Sequence, residues 1–246
     1  QIGLSGGEAS LLYKFETSIS SYQWSPDGKT LGFIATKPEV KEKAALPYSP
    51  VLYEQNLSVQ RIYMVEPGQG EARELTVDGH FSALEWSPDG KKLICASAPT
   101  SLVDDSYMAV SLSMVDVATM KVLATIDHQG KMGDFQWSPD GTQIAFIAAS
   151  DLNDPTAGSL FVAPATGGKS TILQKDWEGM FEQIIWQDPG QVHFIGSTGV
   201  ESVYGIIKAD AKSKPVFQSI EKGFAISHFE LAANGRGLFL ADSYNH

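Results

Sequence analysis

Trp24-Ser25-Pro26-Asp27-Gly28 returns letter for letter as Trp86-Ser87-Pro88-Asp89-Gly90 and as Trp137-Ser138-Pro139-Asp140-Gly141. Each copy stands between an alternating run and an apolar one. Tyr22-Gln23-Trp24 precedes Leu31-Gly32-Phe33-Ile34-Ala35, Leu84-Glu85-Trp86 precedes Leu93-Ile94-Cys95-Ala96, and Phe135-Gln136-Trp137 precedes Ile144-Ala145-Phe146-Ile147-Ala148. This pattern predicts a strand, a tight turn and a second strand. Pro presets φ at the first turn position, Asp suits the second, and Gly accepts the left-handed conformation that returns the chain antiparallel. The unit is a structural hairpin, and its three Asp residues (Asp27, Asp89, Asp140) cap backbone rather than bind ligands.

Two degraded copies keep the frame: Ile184-Ile185-Trp186-Gln187-Asp188-Pro189-Gly190 before Val192-His193-Phe194-Ile195, and Phe229-Glu230-Leu231-Ala232-Ala233-Asn234-Gly235 before Leu238-Phe239-Leu240. Trp24, Trp86, Trp137, Trp186 and Leu231 follow one another at spacings of 62, 51, 49 and 45 residues. Strand-rich repeats of about 40 to 50 residues are the signature of a β-propeller blade. The expected fold is therefore all-β, a propeller of four-stranded antiparallel blades, with residues 1–246 as one domain or part of one. Trp24, Trp86, Trp137 and Trp186 are expected to fill the spaces between neighbouring blades, where a flat side chain buries roughly 150 to 250 Å².

Gly7-Glu8-Ala9-Ser10-Leu11-Leu12 aligns with Gly70-Glu71-Ala72-Arg73-Glu74-Leu75, so the chain is expected to begin with the last strand of a blade. Four full blades follow, and Phe229 to Asp242 supplies the first hairpin of a fifth. With partial blades at both termini, the ring has five blades if it closes. The favoured expectation is an excerpt of a larger propeller. Between the second and third strands of the first full blade, Lys37 to Gln60 forms a long connection; loops of this length are often functional.

A formal net charge of −11 and a pI near 4.8 argue against nucleic acid and anionic membranes as partners. No run reaches the ~18 apolar residues of a membrane span, so no membrane insertion is expected. Cys95, the only cysteine, lies on an apolar run and reads as a buried, inert thiol. A start at Gln1 rather than Met is expected of a processed or excised chain, so the lack of a targeting signal leaves the bacterial periplasm and cytoplasm both open.

Ala163-Pro164-Ala165-Thr166-Gly167-Gly168-Lys169-Ser170 resembles a loose phosphate-binding loop, but that loop must open a helix, and a strand follows here. Gly3-Leu4-Ser5-Gly6-Gly7 has the letters of a nucleophile elbow with no preceding strand and no following helix. Both read as turns. The five histidines, His80, His128, His193, His228 and His246, lack metal-ligand spacing, and neither a metal nor a cofactor is expected. Asn56-Leu57-Ser58 is a glycosylation acceptor pattern without other support. Asp134 and His228 stand three positions before the Trp position of the repeat, Glu182 four and His80 six. On innermost strands these four are candidates to face a central channel, against the simpler alternative of hydrogen-bonded strand ends.

The Trp-Ser-Pro-Asp-Gly repeat resembles that of TolB-type propellers and of the propeller domain in the prolyl oligopeptidase family of serine peptidases. Val51-Leu52-Tyr53-Glu54-Gln55-Asn56 through Arg61-Ile62-Tyr63-Met64-Val65 is similar to the first-blade insertion of acylaminoacyl-peptidase-like members. The peptidase resemblance implies an α/β-hydrolase domain on the same polypeptide carrying Ser, Asp and His, a propeller that restricts entry to short peptides, and no catalytic residue within this chain. The TolB resemblance implies instead a scaffold in the bacterial cell envelope that grips a protein partner. A self-sufficient five-bladed enzyme or lectin using the channel residues is a third alternative.

Overall fold

The computed structural model describes residues 1–38, 53–54, 57–153, 158–210, 212–218, 223–232 and 234–243. The first blade contains β1 (Ile19–Trp24), β2 (Leu31–Thr36), β3 (Gln60–Val65) and β4 (Arg73–Glu74), paired in that order. The second contains β5 (His80–Trp86), β6 (Lys92–Ala98), a six-residue helix α1 (Val103–Met108), β7 (Ser111–Asp116) and β8 (Val122–Asp127). The third contains β9 (Met132–Trp137), β10 (Gln143–Ala149), β11 (Gly158–Pro164), β12 (Gly168–Lys169) and β13 (Thr171–Ile172). The fourth contains β14 (Met180–Asp188), β15 (Gln191–Thr198), β16 (Glu201–Lys208) and β17 (Val216–Gln218), and β18 (Phe224–Leu231) pairs with β19 (Gly237–Ser243) in the fifth. The fold is all-β, built from four-stranded antiparallel blades.

The repeated turn is held by its serine as much as by its proline and glycine. The buried Ser87 hydroxyl donates to Asp89 Oδ1 at 2.7 Å and accepts from the Lys92 amide at 2.9 Å, while Asp89 also accepts from the Lys91 amide at 3.0 Å. Ser25 with Asp27 and Ser138 with Asp140 repeat the arrangement. Gly28, Gly90 and Gly141 all sit near φ +69°, the left-handed conformation that closes the turn. The serine hydroxyl on each Asp is the main cause that holds these three carboxyls below their usual range. In the fourth blade the hairpin tightens to Pro189-Gly190 between Asp188 and Gln191, and the serine is dispensed with.

The second strands of the first four blades read as apolar runs because they are largely buried. On β6, Leu93 and Cys95 join the seam with the first blade, whereas Ile94, Ala96 and Ala98 join the seam with the third. On β10, Ile144, Phe146 and Ala148 face the second blade and Ala145 and Ile147 the fourth. Trp86, Trp137 and Trp186 lie in these seams with 4 to 6% of their surface exposed. Trp86 Nε1 donates to the Gln23 carbonyl at 3.3 Å and Trp137 Nε1 to that of Glu85 at 3.4 Å. Beneath Trp86 the neighbouring strand carries Gly32, where a Cβ would sit 3.3 Å from the indole.

Four features lie outside what the sequence pattern predicts. Trp24 on β1 is 41% exposed among the described residues, unlike Trp86, Trp137 and Trp186. Residues 7–12 form no strand; their segment pairs only through Gln1 and Ser10. Helix α1 occupies a stretch that carries no helical period, being too short to show one. The Gly167-Gly168-Lys169 segment is more than a hairpin turn: β12 leaves its own blade and pairs parallel with β8, making the second sheet five-stranded. Gly167 permits this, since a Cβ there would come within 2.8 Å of Ala124 and of the Thr125 carbonyl. Most of the connection from Lys37 to Gln60, including most of the proposed insertion from Val51 to Asn56, lies outside the described residues.

Two outcomes follow for stability. Trp86→Ala or Trp137→Ala should each cost on the order of 3 to 5 kcal/mol in urea unfolding, as large-to-small changes in packed seams. Ser138→Ala should cost about 1 to 2 kcal/mol in the same measurement, since it removes a buried hydroxyl that serves the Asp140 carboxyl and two amides.

Candidate functional site

The first strand of each blade is the edge of its sheet, and an edge strand carries a row of unpaired amides. Here polar side chains from the preceding blade meet them. Asp134 Oδ2 on β9 accepts from the Ile184 amide at 3.0 Å, and Gln136 Oε1 accepts from the Trp186 amide at 2.7 Å. Gln183 on β14 bonds Phe229 twice, accepting from its amide at 2.9 Å and donating to its carbonyl at 3.1 Å. The Glu85 carboxyl on β5 accepts from the Trp137 amide. The four side chains hold consecutive inner edges together while Trp86, Trp137 and Trp186 hold the seams behind them.

The four proposed channel residues separate under this geometry. Asp134 spends both oxygens on backbone, with Oδ1 taking the Phe135 amide at 3.0 Å. His80 Nδ1 accepts from the Gln60 amide at 3.2 Å, a bond between the first and second blades, and burial lowers its pKa. Glu182 is exposed on β14. His228 is half exposed and stands 3.1 Å from Glu230, within its own strand. Asp134, His228 and Glu230 come within electrostatic reach of one another, and Glu85 joins them through Asp134. Burial, more than its charged neighbours, raises the Asp134 pKa.

Glu85 is the group that reading the sequence missed. Burial pushes its carboxyl up to about 8, against the Trp137 amide bond that favours the charged form, and Oε2 has no hydrogen-bond partner. The available signal was the residue before each Trp: Gln23, Glu85 and Gln136 are polar in strands whose alternate positions are apolar. Alternation places that residue opposite the indole, toward the next blade. Ionised carboxyls here can attract a cationic group, and no nucleophile stands beside them among the described residues. Gly3 to Gly6 forms a turn closed at 2.9 Å, and Cys95 is fully buried, which pushes its thiol far up.

A raised carboxyl pKa contributes stability that is present below the unfolded value near 4.5 and lost as pH rises through about 8. Glu85→Gln keeps an acceptor for the Trp137 amide, as Gln136 does for Trp186, and cannot ionise. It should match the wild type at pH 4 and exceed it at pH 9 by about 1 to 3 kcal/mol in urea unfolding.

Residues 87–153 match the family model for the dipeptidyl peptidase IV (DPP IV) N-terminal region. No curated protein matches the chain. Among solved structures it is similar to TolB from Acinetobacter baumannii (TM-score 0.54, 15% identity), covering 99% of this chain and 56% of that one. It is similar to Porphyromonas gingivalis dipeptidyl peptidase 4 (TM-score 0.56, 12% identity), covering 84% of this chain and 31% of that one. An oligogalacturonate lyase in complex with manganese is also similar (TM-score 0.63, 15% identity), over 91% of this chain and 58% of that one. The chain thus spans about half the length of TolB and a third of the peptidase, and its fold is that of a TolB-like and dipeptidyl-peptidase-like propeller.

Proposed function

We propose that this chain is a non-catalytic propeller portion of a serine peptidase of the prolyl oligopeptidase family, gating the access of short peptides to an α/β-hydrolase domain of the same polypeptide. The observation that carries this reading is the match of residues 87–153 to the DPP IV N-terminal region, a stretch running from the second repeated turn to four residues past β10. The physical character of the blades agrees with a filter. The seams between the first four blades are closed, their edge strands are tied by side chains, and Asp134 spends both carboxyl oxygens on backbone. Such a body sieves by size and leaves bond cleavage to another domain.

A TolB-like scaffold of the cell envelope is the second reading, supported by the similarity to TolB over 99% of this chain. The lyase similarity carries fold alone, since one fold serves many chemistries.

The intact gene product separates these readings. Chromogenic dipeptidyl and N-acylaminoacyl anilides should be hydrolysed, a fluorophosphonate should label a serine outside residues 1–246, and folded proteins should resist cleavage. Absence of both labelling and hydrolysis would remove the peptidase reading, and stable capture of an envelope protein would then support the scaffold.

A further inference from the structure

The two ends of the blades differ in what they expose. Corresponding positions of neighbouring blades meet, as the bonds of Trp86 and Trp137 to the Gln23 and Glu85 carbonyls show, so these blades share one orientation. Connections after first and third strands therefore lie at one end, with the Ser-Pro-Asp-Gly turns, and those after second and fourth strands lie at the other. Between Leu75 and Val200, and among the described residues, the connections at the turn end carry Asp89 and Asp140 against Lys91 and Lys121, with no exposed large apolar side chain. Over the same stretch the opposite end carries Asp78, Asp104, Asp105, Asp151, Asp176 and Glu178 against Lys131 and Lys175. It also exposes Val103, Tyr107, Leu152 and Val200, at 67, 60, 59 and 82%.

Part of this end is contiguous. Val103 and Tyr107 stand four apart on α1, hence on one side of it, and both face solvent with Asp104 and Asp105 between them. Lys131 Nζ lies 6.0 Å from the centre of the Tyr107 ring, and a Cβ at the adjacent Gly130 would stand 2.8 Å from the Asp151 carbonyl, next to Leu152. The patch thus crosses from the second blade to the third. An aromatic ring and aliphatic side chains held in water beside carboxylates suit a partner that is apolar and positively charged.

We infer that this end docks a protein segment in which Lys or Arg is interspersed with apolar side chains. Val103, Tyr107 and Leu152 form the apolar contact, and Asp104 and Asp105 meet the positive charge. Charge selects this occupant. A second copy applied face to face sets acid against acid, and an anionic membrane is repelled, whereas a basic segment gains from the apolar contact and from the field, which also speeds its arrival. The inference goes beyond the proposed function and holds for a peptidase or a scaffold alike.

Fluorescence anisotropy on the intact gene product tests it, with a labelled synthetic peptide of Leu and Lys and its Leu and Glu counterpart as probes. The Lys peptide should bind, more weakly as salt rises, and the Glu peptide should not. Val103→Ser with Tyr107→Ser, and separately Asp104→Asn with Asp105→Asn, should each weaken binding about tenfold or more. Glu66→Gln with Glu71→Gln, exposed at the turn end, should leave it unchanged. Equal losses from changes at the two ends would overturn the inference, since attraction by net charge alone produces them, and so would equal binding of the two peptides. Failure of the Lys peptide to bind overturns it as well. Maleimide labelling of Tyr107→Cys, with the fully buried Cys95 as a silent background, then identifies what holds the face. Lasting protection marks another part of the same polypeptide, protection lost on dilution marks a second copy, and free labelling marks an unoccupied surface.

Discussion

An indole packed against the neighbouring sheet is the contact on which the stack of blades depends. A four-stranded sheet with two apolar faces cannot stand alone in water; it must be covered twice. Trp86, Trp137 and Trp186 each provide a large rigid surface at the point where two sheets converge, and Trp86 and Trp137 add an N–H bond to the carbonyl beside the preceding Trp position. Trp186 lies in the same kind of seam, yet its Nε1 is buried without a partner, so packing rather than the hydrogen bond is common to all three.

Behind the indoles, one further position in each blade plugs the face of the middle strands. Phe15, Val77, His128 and Trp177 all stand nine residues before the Trp of their blade. Phe15 packs on Phe33 and Tyr63, Trp177 on Phe181 and Phe194, and the His128 ring stands edge-on to Phe146 and Phe161. Burial lowers the His128 pKa, so the imidazole serves as a neutral aromatic plug. Residues as unlike as valine and tryptophan share the position because the demand is for bulk against an apolar face, met to different depths in different blades.

On the inner edge the same geometry produces the opposite chemistry. Edge amides must be satisfied, and bringing acceptors from the adjacent blade solves this without closing the edge with another strand. The consequence is electrostatic: carboxyls at Glu85 and Asp134 are drawn into partly dry surroundings, where their pKa values rise. Perturbed carboxyls often mark active sites. In this protein the perturbation has a structural origin: both carboxyls are drawn in to accept backbone amides of the next blade.

The repeat, the hairpins and their turns, and the apolar runs that are buried as second strands in the first four blades, were legible in the sequence because each depends on residues close along the chain. Trp-Ser-Pro-Asp-Gly encodes a turn wherever it stands, and an apolar run such as Ile144 to Ala148 must be covered on both faces whatever covers it. Tertiary structure decided what crosses between blades: the parallel pairing of β12 with β8, the Glu85 carboxyl meeting the Trp137 amide, and the fate of each indole. Trp24 and Trp86 stand in identical local sequence, yet one is exposed and the other buried. Burial belongs to the neighbouring sheet rather than to the motif, and which sheet comes next is information that no local pattern contains.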